Sequence, residues 1–143
     1  MSPRPLRPGL GLFLCGVGAL ALGGCEEKER AFRSEAAAIS RAIDGVRTAE
    51  NAQKTGPLGA LRAVPCTAPE VCAVQSYCVA AYEKHVAVLG LLAEAKTSMA
   101  TAPPTAVAAT VATAERGLAE ARTLTDDCAT RQGEMVRRFH VGR

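Results

Sequence analysis

Cysteine and histidine are the side chains in this sequence that could bind a metal, form disulfides or act as nucleophiles. The 143-residue chain has six cysteines and two histidines. Cys66, Cys72 and Cys78 are evenly spaced along the chain, unlike the close cysteine pairs of zinc sites. No Cys-x-x-Cys-His haem motif occurs. We therefore expect no metal and no cofactor.

The spacing of the reactive side chains does not form a catalytic set. Cys128 directly follows Asp126 and Asp127, and neighbouring carboxylates disfavour the thiolate that a nucleophilic cysteine needs. No Ser/His/Asp arrangement is evident, and no glycine-rich phosphate loop follows a strand. We therefore expect that the protein is not an enzyme.

Tyr82 and His85 lie about one helical turn apart, so they could face the same small-ligand site. A histidine at helical spacing on an apolar face is more commonly a partly buried residue whose polar edge reaches the surface. Tyr82 and His85 are therefore weak candidates for ligand binding. A small-ligand-binding or metal-binding role is the alternative to a structural or protein-interaction role.

The first 25 residues combine several features of an exported chain. Arg4 and Arg7 precede an uncharged segment over 9–22. At about 14 residues, this segment is shorter than a bilayer-spanning helix and suits the core of a signal peptide. It runs into Leu22-Gly23-Gly24-Cys25, a branched apolar residue, two small residues and a cysteine. This sequence resembles the lipobox of bacterial lipoproteins.

The lipobox resemblance implies how the N-terminus is processed and where the protein lies. Residues 1–24 would be a signal peptide, and Cys25 would carry a diacylglycerol on its thiol and an acyl chain such as palmitate on its new amine. Two or three chains hold a protein on a membrane essentially permanently. Glu26 takes the place of the aspartate that retains lipoproteins in the inner membrane. The resemblance therefore favours the inner leaflet of the outer membrane, facing the periplasm, over the periplasmic face of the inner membrane.

Beyond Cys25, the composition predicts one small helical domain over 25–143. Alanine is abundant, aromatic residues make up 3% of the chain, and the net charge of +3 is too small for a typical nucleic-acid binder. Alanine favours helices but makes a thin core, which disulfides would reinforce. We expect an all-α fold, a small antiparallel three-helix bundle with a long disulfide-stapled helical hairpin.

Apolar residues recur every three or four positions in three segments, which predicts three helices. Gly56-Pro57 marks the end of the first helix, and 55–66 is expected to form a loop across the helices. Thr67 and Glu70 fit a capping box before the second helix. Pro103-Pro104 separates the second helix from the third. The predicted helices span about 27–54, 68–100 and 105–139.

A fold-back at Pro103 predicts the disulfides. It places Cys78 opposite Cys128 on the facing helices. Six residues along a helix separate Cys72 from Cys78 by about 9 Å, which is too far for a disulfide. We therefore expect the pairs Cys78–Cys128 and Cys66–Cys72.

The same fold-back fixes the register of the hairpin along its length. It places Leu89 over Gly117, so that a large side chain meets a small one. It leaves Gln132 as a polar misfit opposite Val74.

Together these features predict a lipid-anchored periplasmic structural or protein-interaction module. In architecture alone, it resembles small disulfide-stapled helical lipoproteins such as secretion pilotins, with which it shares no motif. The expected partners are the membrane, through the lipid, and another protein, but not nucleic acid.

Overall fold

The computed structural model describes residues 23–142, and these residues form an all-helical bundle without strands. The predicted fold class and disulfide-stapled hairpin are confirmed. The part of the predicted signal peptide up to Leu22 lies outside the described residues. Within 23–142, no helix is both long and apolar enough to cross a membrane. The helices are α1 (Gly23–Thr48), α2 (Thr55–Ala63), α3 (Pro69–Ser98) and α4 (Pro104–Arg138), with a 3-10 turn over Asn51–Gln53.

The region between the first two long helices differs from the sequence prediction. The first helix ends at Thr48 and not at Lys54, and most of the predicted loop over 55–66 is the short helix α2. Pro57 lies in the first turn of α2, where its missing N–H interrupts no helical hydrogen bond. Leu58 and Leu61, one turn apart, are both buried. The bundle therefore has four α-helices, and burial of these leucines outweighs the glycines and proline nearby.

The first helix packs along α3 in the same direction and along α4 in the opposite one. Ile39 and Ile43 are fully buried on the inner face of α1. Glu35, in the first half of α1, binds the segment that starts α3. Arg47, in its last turn, binds Gln132 of α4. The start of α1, the start of α3 and the end of α4 consequently lie at one end of the bundle.

Both predicted disulfides are present. Cys78 and Cys128 join α3 to α4, with 5.1 Å between their Cα atoms, and both side chains are fully buried. Cys66 and Cys72 join the segment before α3 to its first turns, with 5.6 Å between their Cα atoms. The disulfide partners predicted from the fold-back at Pro103 are therefore confirmed.

Beyond the Cys78–Cys128 disulfide, the contact between α3 and α4 differs from the predicted register. Gly117 lies against Val88 and not Leu89, and a Cβ atom on Gly117 would come within 2.7 Å of Val88 Cγ2. Val88 and Ala95 are buried on this part of α3, whereas Leu89 is only partly buried. The helices approach through their smaller side chains, and the leucines lie beside the contact.

The hairpin extends past the other helices. The main hydrophobic core includes Tyr82 and Cys128 but none of the residues between Val88 and Ala121. With a rise of about 1.5 Å per residue, α3 continues for about 24 Å beyond Tyr82. We call 32–85 together with 121–139 the body, and 86–120 the arm.

Candidate functional site

The structure brings Tyr82 and His85, the two predicted ligand-site residues, to one cleft in the body. The cleft has a volume of about 280 Å³ and lies where the end of α1 and the 3-10 turn meet α3 and α4. Arg47, Asn51 and Lys54 line one side. The α4 side is lined by Thr125, Asp126 and Ala129.

Lys54 holds the chain segment that forms one wall of this cleft. Its ammonium group donates hydrogen bonds to the carbonyl oxygens of Val46, Arg47 and Ala49, at 2.9, 3.2 and 2.8 Å. The first two carbonyls are at the C-terminal end of α1 and the third directly follows it, where no further helical amides are available and a positive charge is favourable. Lys54 is buried, so it stabilises the turn that brings Asn51 to the cleft.

Arg47 is positioned by a polar network between α1 and α4. Gln132 is buried and donates to the Ser40 carbonyl (3.1 Å), the Ser40 hydroxyl (2.9 Å) and Asp44 Oδ1 (3.1 Å). Its side-chain oxygen accepts a hydrogen bond from Arg47 at 3.3 Å, and Arg47 also forms an ion pair with Asp44. The misfit of the sequence prediction, Gln132, therefore faces α1, where its polar atoms are satisfied.

His85, which lines the cleft, has an unsatisfied polar atom. Its Nε2 atom is buried and has no hydrogen-bond partner among residues 23–142. Burial, and secondly the Lys54 ammonium, lower the pKa of His85 below its ordinary value of 6.5. Burial raises the pKa of Tyr82 above 10.0, although the Arg47 charge opposes this shift. At neutral pH the cleft therefore presents a neutral imidazole and a neutral phenol.

At the other end of the body, Glu35 replaces the predicted capping box. Its carboxylate accepts hydrogen bonds from the backbone amides of Thr67 and Ala68, each at 2.9 Å, and from the Thr67 hydroxyl. The capping-box prediction is wrong because α3 begins after Ala68, which leaves Thr67 outside the capping position. Glu70 instead forms an ion pair with Arg138, at 2.7 Å.

Cys25, the predicted lipidation residue, lies near the beginning of α1. It is exposed, and its thiol is in no disulfide. Phe32 of α1 lines a cleft of about 290 Å³ together with Pro69 of α3 and Phe139, which directly follows α4. Cys25 is therefore at the end of the body where α3 starts and α4 ends.

Sequence reasoning missed the buried polar residues that hold the body together. Gln75 Nε2 donates to the carbonyl oxygens of Leu61 and Val64, both at 2.8 Å, and so binds the C-terminal end of α2. Gln75 and Gln132 each lie four residues, about one helical turn, after a buried apolar residue, Val71 and Cys128 respectively. A polar residue on the apolar face of a helix was therefore the sequence signal that could have indicated these two buried side chains. Nothing in the local sequence marks Lys54 or Glu35, because their partners are distant or depend on the observed turn.

The described part of the chain has no group of three or more His, Cys, Asp or Glu side chains close enough to hold a metal ion. Comparison with protein-family models, characterised proteins and solved structures found no significant match to this chain.

Proposed function

We propose that the protein is a lipid-anchored periplasmic interaction module. In this proposal, Cys25 carries the lipid and holds the base of the body at the inner leaflet of the outer membrane, and the arm binds a protein partner. The observation that carries the proposal is that Cys25 and the tip of the arm lie at opposite ends of the molecule.

The distance between the two ends supports a role in presentation. Cys25 is seven residues before Phe32, so on a continuous helix it lies about 10 Å from the level of the first core side chain of α1. From the level of Pro69, α3 runs in the same direction as α1 for 30 residues, or about 45 Å. A lipid on Cys25 would consequently hold the arm away from the membrane surface.

The surface of the arm supports a protein partner. The part of the arm towards its tip, over 86–114, has only two charged residues, Glu94 and Lys96, and the other three, Glu115, Arg116 and Glu120, lie on α4 near the body. Met99, close to the tip, is 68% exposed. The centres of protein interfaces are depleted in charged residues and enriched in methionine, and exposed apolar side chains at a projecting end favour contact with another apolar surface. The partner that fits is therefore a protein with an apolar, charge-poor face, and not an acidic or basic polymer.

Photocrosslinking in living cells tests this function. A photoreactive amino acid replaces Met99 or Thr110 on the arm, and Arg62 or Ser76 on the exposed surface of the body as matched controls. We expect a discrete adduct from the arm positions only, with a mass that distinguishes a different protein from a second copy of the chain. Equal adducts from arm and body, or no adduct from the arm, would contradict a binding role for the arm.

The anchor has its own test. Mass spectrometry of the protein extracted from membranes should find an N-terminal, acylated Cys25, and Cys25→Ser should release the protein from the membrane fraction. Retention of residues 1–24 with an unmodified thiol at Cys25 would refute the anchor.

A small-ligand role is the second candidate, and the buried Nε2 atom of His85 favours it. A buried polar atom without a hydrogen bond has a free-energy cost that a ligand bound in the cleft would remove. A thermal-shift screen of the full chain in nonionic detergent against metal ions and small molecules tests it. Compounds that raise the melting temperature should do so less for His85→Gln than for His140→Gln, because His140 lies outside the cleft.

A further inference from the structure

The cleft beside His85 is lined by an arginine and an aspartate that form no ion pair with each other. Arg47 is paired with Asp44, and Asp126 forms no ion pair with any residue in the described part of the chain. Both side chains nevertheless line the same cleft. The cleft can therefore provide a positive group and a negative group to one bound molecule.

We propose that this cleft binds a small zwitterion, a molecule with a carboxylate and an ammonium group, of which free amino acids are the simplest. The carboxylate lies towards Arg47, Tyr82 and His85, and the ammonium lies towards Asp126. This inference rests on the second candidate function, because it names the ligand class for the same cleft.

The carboxylate side of the cleft has unused hydrogen-bond donors. The two side-chain hydrogen bonds of Arg47 both come from one terminal nitrogen, so its other guanidinium nitrogens remain free to donate. The Tyr82 hydroxyl and the Asn51 side-chain amide belong to residues that line the same cleft, and both groups can donate hydrogen bonds. His85, whose buried Nε2 atom has no hydrogen-bond partner among residues 23–142, lines the same cleft. These donors match the acceptor oxygens of a carboxylate.

Lys54 contributes charge to this side without binding the ligand directly. Its three ammonium donors are all used by the carbonyl oxygens at the end of α1. Its positive charge nevertheless remains close to His85, whose pKa it helps to lower. A carboxylate bound here is therefore favoured by the Lys54 charge and by hydrogen bonds from Arg47, whose own charge is shared with Asp44.

The ammonium side is formed by two acceptors on α4. Asp126 provides a carboxylate. The Thr125 hydroxyl already donates to the Arg122 carbonyl oxygen at 2.9 Å, so only its acceptor capacity remains for a ligand. A carboxylate and an acceptor hydroxyl suit an ammonium group, and Asp126 would disfavour a ligand with only negative charge.

The size of the cleft limits the ligand. Its volume of about 280 Å³ is just below the range of about 300–1,000 Å³ for drug-sized molecules. Glycine and alanine carry both charged groups within a few bonds, so they are the appropriate first probes.

NMR of the His85 imidazole tests the proposal on the full chain in nonionic detergent, with His140→Gln used to assign the two histidine signals. Glycine or L-alanine should shift the His85 signals in a saturable way, and should bind about tenfold or more tightly than acetate or methylammonium, which carry one charge each. Asp126→Asn should weaken the binding about tenfold. The matched control is Asp127→Asn, because the neighbouring carboxylate accepts from Tyr77 and does not line the cleft.

The outcomes of these measurements distinguish two claims: that the cleft binds a small ligand, and that this ligand is a zwitterion. The proposed ligand class is wrong if acetate binds as tightly as glycine, or if Asp126→Asn leaves the affinity for glycine unchanged while retaining the native circular dichroism spectrum. In either case the cleft is still a ligand-binding site. If no probe and no compound from the wider screen shifts the His85 signals at millimolar concentration, both the zwitterion and the second candidate function are overturned. Tyr82→Phe, which removes only a hydroxyl, should weaken glycine binding without loss of helix, and an unchanged affinity would remove Tyr82 from the site.

Discussion

The body and the arm share the helices α3 and α4 but bury different side chains along them. In the body, Ile39, Ile43 and Leu61 are fully buried against the hairpin. In the arm, the buried contact is made by Val88, Ala95 and Ala114, together with the close approach at Gly117. Since hydrophobic stabilisation grows with the apolar area removed from water, the body gains much more per residue than the arm.

The body and the arm also differ in the hydrogen bonds that their polar side chains make. In the body, Lys54, Gln75 and Gln132 bind backbone carbonyls of other segments while buried. In the arm, Thr110 and Thr113 bind carbonyls of their own helix one turn earlier. The arm is therefore held mainly by the packing of two helices. We expect it to open locally at a lower free energy than the body, as binding surfaces that adapt to a partner often do.

The largest predicted effect is the loss of the buried disulfide in the body. Cys78→Ala with Cys128→Ala removes a link between residues 50 positions apart, and the loop-entropy model gives a loss of about 4 kcal/mol in unfolding free energy. Urea unfolding followed by circular dichroism, with the full chain in nonionic detergent, measures this loss.

The second disulfide is the matched control, because Cys66 and Cys72 are only six residues apart. Their replacement by alanine should cost about 2 kcal/mol by the same model. A larger loss for this pair than for Cys78–Cys128 would show that the hairpin disulfide does not dominate the stability of the body.

The two regions also differ in how far the sequence predicted them. The pairing of Cys78 with Cys128 follows from helix periodicity and a proline turn, both of which are local properties. The packing of Val88 against Gly117 depends on how closely two alanine-rich helices approach each other. The spacing of apolar residues along the sequence does not determine this distance. The contact of Glu35 with Thr67 does not follow from the sequence, because the two residues are distant along the chain and only folding brings them together.

The second prediction concerns the lysine that supports the candidate ligand site. Lys54→Met keeps the aliphatic length but removes three hydrogen bonds to the end of α1, with an expected loss of about 2 kcal/mol in unfolding free energy. Lys84→Met is the control, because Lys84 forms a surface ion pair with Glu120 that is worth at most about 1 kcal/mol. Thermal and urea unfolding measure both variants. If Lys54→Met loses no more unfolding free energy than Lys84→Met, Lys54 acts only as a surface charge.

The third prediction tests close packing in the arm. Gly117→Ala gains about 1 kcal/mol of helix propensity but places a Cβ atom 2.7 Å from Val88 Cγ2, so we expect a net loss of about 1 kcal/mol. Hydrogen exchange should increase in 86–120 and remain unchanged in the body. Adding Val88→Ala should relieve the clash and restore slow exchange at 117.

Gly90→Ala is the matched control for this experiment, because a Cβ atom there meets nothing within 4 Å. It should leave the arm unchanged or slightly more stable. If Gly117→Ala is as harmless as Gly90→Ala, the two helices of the arm are not closely packed.

The smallest predicted effect is a pH dependence of the body that comes from Glu35. Hydrogen bonds from Thr67, and more weakly from Ala68, lower the pKa of Glu35 below its ordinary value of 4.5 when the chain is folded. A carboxylate with a lowered pKa stabilises the folded state above its unfolded pKa, and this contribution is lost as the pH falls through the folded value. Because the site is near the surface, we expect a contribution of about 0.5–1 kcal/mol.

Glu35→Gln tests the sign of this effect. Above about pH 5 the variant should be less stable than the parent by about 0.5–1 kcal/mol, and the difference should shrink as the pH falls below 4.5, because the protonated parent carboxyl is then also uncharged. Glu29→Gln is the control, since Glu29 forms only an exposed ion pair with Arg33 on the same helix. Urea unfolding at several pH values gives both curves. A stability difference for Glu35→Gln that stays constant down to low pH would mean that the charge of Glu35 does not support the start of α3, and that the body is joined there mainly by the Cys66–Cys72 disulfide and apolar packing.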